Sequence, residues 1–240
     1  MNILAIDTSM QATSCALLQV TDKTTTLLAA NYLNVALTHS ETSQVLAENC
    51  LQAAQLTLKD IDYFVAVNGP GSFTGLRIGV TLVKTWAYSQ NKPCIAVSSL
   101  STLAAAVMDL PEDTCLIPCL DARNERVYLQ VEVAGKIVIP AQATAFASIK
   151  EQLQVKLPQT VKKIKFISTG KPEWADKYAA TFQPEFTAIN WQITELSAVQ
   201  AAKVAALQIQ EQRAKLLPYN ELVPNYLALS QAERQRQLKK

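Results

Sequence analysis

A chain of 240 residues, 49% hydrophobic and 18% charged, has the length and composition of a globular protein with a sizeable core, built as one large domain or two small ones. With 22 basic and 20 acidic residues, the formal net charge of +2 excludes a whole-protein electrostatic case for nucleic-acid binding, and the shortage of charge leaves surface for a protein partner. Five cysteines, Cys15, Cys50, Cys94, Cys115 and Cys119, are odd in number and lack a CxxC pair, so they read as reduced core residues of a cytoplasmic protein; no basic leader and no apolar run near the ~20 residues of a membrane span is visible.

In chain order, residues 2–7, 14–20 and 25–31 read as three strands joined by short polar turns, which predicts an antiparallel meander. Thr38-His39-Ser40-Glu41 fits a capping box opening a helix to about residue 55, with Val45, Leu46, Cys50 and Ala53 at helical spacing. Residues 63–67 form an apolar run suited to a buried strand. A glycine-rich turn follows, then a helix over 72–89, a strand over 94–97 and an alanine-rich helix over 99–108. The segment 108–113 is the best boundary, giving an N-terminal lobe of 1–108 and a C-terminal lobe of 109–240, whose last helix is expected to pack back on the first lobe.

Beyond it, residues 115–120 are apolar and end in Asp121, 126–133 alternate as a strand should, and 136–139 supply a third strand. A helix near 144–153, a strand over 165–168, a loop-rich region and a strong helix over 195–215 complete the chain. Both halves share the outline βββαβα, each opened by an apolar strand that ends in aspartate, Asp7 and Asp121. The basic run at 233–240 reads as a solvated tail rather than an RNA contact.

The chemistry that is missing narrows the function. A catalytic metal site takes about three protein ligands, and this chain has one histidine, His39, read as a solvent-facing residue of a helix's first turn. Gly71-Ser72-Phe73-Thr74-Gly75 departs from the G-x-S-x-G nucleophile elbow. The same turn lacks the lysine and hydroxyl of a P-loop, so capping of the helix by Ser72 is favoured over phosphate binding.

The helix behind that turn is more informative. Only Arg77 and Lys84 are charged between Ser72 and Ser89, and a helix apolar all round is buried on more than one side. Gly75 and Gly79 each cost about 0.5–1 kcal/mol of helix stability against alanine. Their spacing predicts a smooth groove for a neighbouring backbone, taken as that of a partner helix.

AIDTS at 5–9, THSE at 38–41, NGPGSFTGLRIGVTLVK at 68–84 and CLDARNERVYL at 119–129 together resemble the TsaB family, also called YeaZ, of bacterial tRNA threonylcarbamoyladenosine synthesis. The resemblance implies an α/β, two-lobed actin-like or Hsp70-like ATPase-core fold. It also implies a non-catalytic subunit that pairs with TsaD, the subunit holding the metal and transferring the threonylcarbamoyl group, in an assembly completed by TsaE. Pairing through the two first-lobe helices maps an interface onto Leu46, Asn49, Cys50, Ala53, Gly75, Ile78, Gly79, Leu82 and Val83, a surface that forms a homodimer when TsaD is absent. tRNA contact is then indirect, and there is no membrane role.

The nucleotide cleft of the fold maps onto Asp7, Thr8, Ser9, Asp121 and Arg123. Departures from the family pattern cluster there: Arg126 preceded by Glu125, Ser168-Thr169-Gly170-Lys171 in place of Gly-Asp-Gly-Ala, and Ala228 closing Pro224-Asn225-Tyr226-Leu227. They imply no tightly bound cofactor, with ATP and Mg²⁺ engaged only weakly or at the assembled interface. Two alternatives remain: an ATP-using enzyme in which Asp7 and Asp121 hold Mg²⁺ through water, against the plainer role of each in capping a turn, and, last, a glycoprotease-like peptidase.

Overall fold

The computed structural model describes residues 1–22, 24–35, 39–107, 109–174, 182 and 185–228; Thr38 of the expected capping box, Met108 and the basic run at 233–240 lie outside them. The chain divides into two compact units, Met1–Ala105 with Leu196–Tyr226, and Ala106–Glu195 with Leu227–Lys240. A single cut at 108/109 is thus replaced by a first unit that takes back thirty-odd residues from the far end of the chain. Among the described residues, no helix is long and apolar enough to cross a membrane.

The first unit is a five-stranded sheet of order β3-β2-β1-β4-β5, made from β1 (Asn2–Asp7), β2 (Thr13–Val20), β3 (Thr25–Leu33), β4 (Tyr63–Gly69) and β5 (Cys94–Ser98). β1, β2 and β3 run antiparallel as the expected meander, and β4 and β5 add parallel strands with Ile6 opposite Ala66 and Ala66 opposite Ala96. Alternate side chains of a strand point to opposite faces, which splits β1 between two cores. Leu4 and Ile6 join Cys15, Leu17, Phe64 and Ala66 under α1 (His39–Ala53) and α2 (Phe73–Gln90). Ile3 and Ala5 join Leu18, Val65, Val67 and Ile95 on the other face.

That second face is covered by the returning part of the chain. After α3 (Ser99–Ala104), the second unit and then α5 (Ala198–Gln210) follow, and α5 lays a stripe of Ala198, Ala201, Ala202, Ala205 and Ala206 on the sheet. Alanine suits the position because small side chains let a helix approach closely while keeping the best helix propensity. Ser197 caps α5 by accepting from the Val199 amide at 3.1 Å, and Ser14 of β2 accepts from the Ala198 amide at 2.9 Å.

The second unit repeats the topology: β6 (Thr114–Asp121), β7 (Arg126–Val133), β8 (Lys136–Ala145), β9 (Lys163–Ser168) and β10 (Ala188–Ile193) form a sheet of order β10-β9-β6-β7-β8, with α4 (Ile149–Lys156) between β8 and β9. Read from one edge to the other, both sheets run third, second, first, fourth, fifth strand of their unit, with the first strand central. Its core gathers Phe146, Phe166, Phe182, Trp174 and Trp191, with Phe166 stacked on Trp191 at 4.4 Å between ring centroids. Three differences from the sequence reading fall here. β8 runs on to Ala145, α4 starts five residues later than expected, and β10 occupies part of the region read as loop. β10 is a half-exposed edge strand whose alternation of Ile189, Trp191 and Ile193 spans only six residues, too short a window to separate from loop.

Because the buried face of α5 is a stripe of alanines, enlarging one of them overpacks the interface, at a cost of about 1–3 kcal/mol. Ala202→Leu is expected to lower the unfolding free energy by that much, seen as a lower urea midpoint at unchanged slope; an unchanged midpoint would show that the helix sits less tightly than described.

Candidate functional site

α2 owes its start to the turn that precedes it. Ser72 is the N-cap, its hydroxyl accepting from the Gly75 amide at 3.2 Å, so the turn is capped by its own serine, as favoured from sequence. The turn after β1 docks directly against this first helical turn. Ser9 O accepts from the Ser72 amide at 2.7 Å, and Thr8 Oγ1 donates to Gly75 O at 2.7 Å.

These contacts explain the glycines, and they revise the expectation of a groove for a partner. A Cβ on Gly71 would overlap the Ser9 carbonyl, one on Gly75 the Thr8 carbonyl, and one on Gly79 the Thr8 hydroxyl. What Gly75 and Gly79 admit is therefore the chain's own Thr8, its backbone carbonyl at Gly75 and its side chain at Gly79, and both glycines are buried.

The all-round apolar character of α2 is likewise answered within the protomer. One side lies on the sheet, a second meets α1, where the Trp86 indole donates to Gln44 Oε1 at 3.1 Å, and a third meets residues 217–226. There Leu217 and Leu222 enter the core, Phe73 stacks on Tyr226 at 4.4 Å, Tyr226 OH accepts from Arg77 Nε at 2.9 Å, and Tyr88 meets the edge of Tyr219 at 5.0 Å. No periodic signal in the sequence marks this strap, whose aromatics are Tyr219 and Tyr226.

The nine positions mapped as an interface consequently separate. Leu46, Cys50, Gly75, Gly79 and Val83 are buried in the protomer's own core, whereas Asn49 and Ala53 are exposed and Ile78 and Leu82 half-buried. Val45, 49% exposed, extends the outer row of α1 as Val45, Asn49 and Ala53 at four-residue spacing, and Thr81 and Thr85 accompany Ile78 and Leu82 on α2.

His39 differs from its sequence reading too: it is partly buried, with Nδ1 2.7 Å from Thr13 Oγ1, which in turn accepts from Thr42 Oγ1 at 3.2 Å. Asp7 is 3% exposed. Its Oδ1 accepts from the Ser9 amide at 2.8 Å, while Oδ2 and the Ser9 hydroxyl are buried with no hydrogen-bond partner among the described residues. Burial pushes the Asp7 carboxyl above the usual carboxylate range, opposed by its hydrogen bond from Ser9 and by His39.

Asp121, in the second unit, makes the same turn, with Oδ1 accepting from the Arg123 amide at 2.7 Å. Its Oδ2 is taken by the Lys171 ammonium at 3.3 Å, and Lys171 also reaches Glu173 at 3.6 Å. Arg123, Asn124 and Glu125 all have positive φ, from 52° to 63°, a left-handed run that strains non-glycine residues. With Asp121, Arg126, Phe146, Lys171 and Trp174 they line an open pocket of about 270 Å³. Each aspartate thus caps a turn. Asp7 is buried, and Asp121 is paired with a lysine. Among the described residues, no cluster of three or more metal-binding side chains occurs.

Two sheets of one duplicated topology, each opened by a strand ending in an aspartate-capped turn, define an actin-like α/β protein. A solved structure of the same architecture, described as an uncharacterized protein with similarity to peptidase YeaZ from Pseudomonas aeruginosa, superposes with a TM-score of 0.73 at 22% identity, covering 95% of this chain and 99% of that one. A family model, TsaD: tRNA N6-adenosine threonylcarbamoyltransferase, matches residues 34–237. The tRNA threonylcarbamoyladenosine biosynthesis protein TsaB of Bacillus subtilis is 38% identical over 160 residues, 65% of this chain and 67% of that protein. TsaB of Haemophilus influenzae is 31% identical over 139 residues, 57% and 56% of the two chains, so the alignments span between about half and two thirds of these relatives. The chain belongs to the TsaB family, within the wider group that the TsaD model describes.

Gly75→Ala tests the close approach. On an exposed helix face the change gains up to about 1 kcal/mol; here the new Cβ meets a carbonyl, and a loss of about 1–3 kcal/mol is expected in chemical denaturation. A second measurement addresses Asp7. Its stabilising contribution is full below the unfolded carboxyl value and is withdrawn as pH rises through its elevated native value. Asp7→Asn should therefore gain on the wild type in melting temperature as pH rises from about 4 to 7, and a constant difference over that range would contradict the assignment.

Proposed function

We propose that this chain is the non-catalytic partner in the formation of threonylcarbamoyladenosine on tRNA, and that it supports the TsaD-type transferase by docking through α1 and α2. Membership of a family whose relatives carry that biosynthetic name supports the reaction. The outer row of Val45, Asn49 and Ala53 on α1, beside Ile78, Thr81, Leu82 and Thr85 on α2, supports the surface.

Two helices clamped to each other by Trp86 and Gln44, and held on the sheet by a common core, present this row on a rigid base. Small and aliphatic side chains at four-residue spacing suit a second helix pair, whose ridges pack between them. Apolar burial at ~25 cal/mol per Å² drives such pairing before association costs are subtracted. In the same reading TsaE completes the assembly, the row pairs two copies when the transferase is absent, tRNA is met through the transferase, and the chain works in the cytoplasm. Isolated protein is expected to bind Mg-ATP only weakly, because Asp7 is buried and Asp121 is held by Lys171.

The discriminating substitutions are those that alter the outer row and spare the core. Asn49→Arg and Ile78→Glu should each abolish co-purification with the cognate TsaD and lower modification in a reconstituted assay by at least tenfold, with little change in melting temperature. Survival of the complex in both variants would place the docking surface elsewhere.

A further inference from the structure

An edge strand presents a row of bare N–H and C=O groups that pairs with another extended chain unless something blunts it. Each of the two sheets has two edges, and three of the four are blunted. β5 is closed by the returning chain, the Cys94 amide donating to Leu217 O at 2.8 Å and the Leu217 amide to Cys94 O at 2.9 Å. β8 opens on Lys136 and carries Pro140 in mid-strand, and β10 is six residues long. β3 differs from all three. It runs for nine mostly exposed residues, and among the described residues no strand pairs with its outer side. Between Lys23 and His39 the sequence has neither a charged residue nor a proline.

The side chains add apolar surface to that open edge. Ala29 and Leu33 pack toward the core beneath α1, and Asn31 donates to Leu46 O and to Cys50 Sγ on the same side. Alternation turns Ala30 and Tyr32 to the opposite face. With Leu27 and Leu28 they form an exposed apolar row, Leu27 at 47%, Leu28 at 36% and Tyr32 at 43%. Ala29 to Leu33 keep unbroken register with Leu17 to Thr13, and the one irregularity of the strand passes over Leu28.

We propose that β3 is a pairing edge for a second copy of this chain, the two β3 strands running antiparallel about a two-fold axis at Ala30 and joining two first-unit sheets into one. A two-fold contact sets each strand against its own sequence, so any charge on it lies close to its like, and like charges directly opposite are destabilising. The absence of charge along β3 removes that penalty, and it leaves nothing on the strand for a charged partner to complement. With the axis at Ala30, Leu28 of each copy faces Tyr32 of the other, an aliphatic–aromatic cross-strand pair formed twice. The contact uses none of Val45, Asn49, Ala53, Ile78 or Leu82 and so does not rest on the proposed docking row. If that row binds the transferase, the paired chains carry two such rows.

Because the docking row is itself proposed to pair isolated copies, the test uses the full chain carrying Asn49→Arg. Sedimentation at about 100 µM, well above a micromolar dissociation constant, is expected to give twice the chain mass. Adding Ala30→Lys, which sets two ammonium groups against each other at the axis, should return the single-chain mass at an unchanged melting temperature, since Ala30 is exposed. Ala30→Cys should link two copies through position 30 under mild oxidation, the native cysteines being buried, whereas Asp22→Cys at the hairpin should not. A single-chain mass without Ala30→Lys, a dimer that survives it, or equal cross-linking through positions 22 and 30 would overturn the proposal. So would slowed hydrogen exchange of amides 27–32 that arises only on mixing with the cognate TsaD, which would give the edge to the transferase. Co-purification of the chain carrying Ala30→Lys alone with TsaD should be unchanged, so that failure of the edge and failure of the docking row are read separately.

Discussion

The first unit depends on how closely one turn approaches one helix. The chain leaving β1 at Thr8 and Ser9 lies against the opening turn of α2, near enough that Gly71, Gly75 and Gly79 have no space for a Cβ. Two hydrogen bonds hold the contact, Ser72 amide to Ser9 carbonyl and Thr8 hydroxyl to Gly75 carbonyl. Glycine's unfavourable helix propensity is offset by this contact, since a buried backbone needs its polar groups paired. Fixing α2 against the central strand also fixes α1, through Trp86 and Gln44 and the shared core, and so sets the direction in which the outer row faces.

The duplicated turns show how one topology can be given two electrostatic characters. Both first strands end in an aspartate that caps the amide two residues on. At Asp121 the second oxygen is answered by Lys171, so its charge is balanced at a half-exposed position. At Asp7 the second oxygen is buried with no partner among the described residues, and the carboxyl is pushed toward its neutral form. Both arrangements use the carboxylates for the protein's own structure.

Elements with a local cause were legible in the sequence. The meander, the buried β4, the Ser72 cap and the aspartates closing β1 and β6 each follow from a short pattern, and the family motif carried the fold. What sequence could not supply was the identity of neighbours. Gly75 and Gly79 announced a close backbone approach, but nothing local distinguishes a partner's backbone from the chain's own at Thr8. The apolar circumference of α2 was real, yet the segment covering its third side lies more than 120 residues away, at Leu217, Leu222 and Tyr226. Mapping an interface from the family resemblance also placed Cys50 and Val83 among outward positions, and the sequence offers no correction, because a helix buried on three sides has no polar stripe to mark its outside.

The return of residues 196–226 to the first unit has a bearing on how the protein is made. Its sheet has one face covered by α1 and α2, encoded before residue 91, and the other by α5, encoded after residue 197. A chain emerging from the ribosome therefore carries an uncovered apolar face on its first sheet throughout synthesis of the second unit, a state open to wrong association. Closure waits on contacts of high sequence separation, the slowest to form in general. A stripe of alanines at the centre of the contact makes α5 an undemanding late arrival, since the side chains buried deepest there are small.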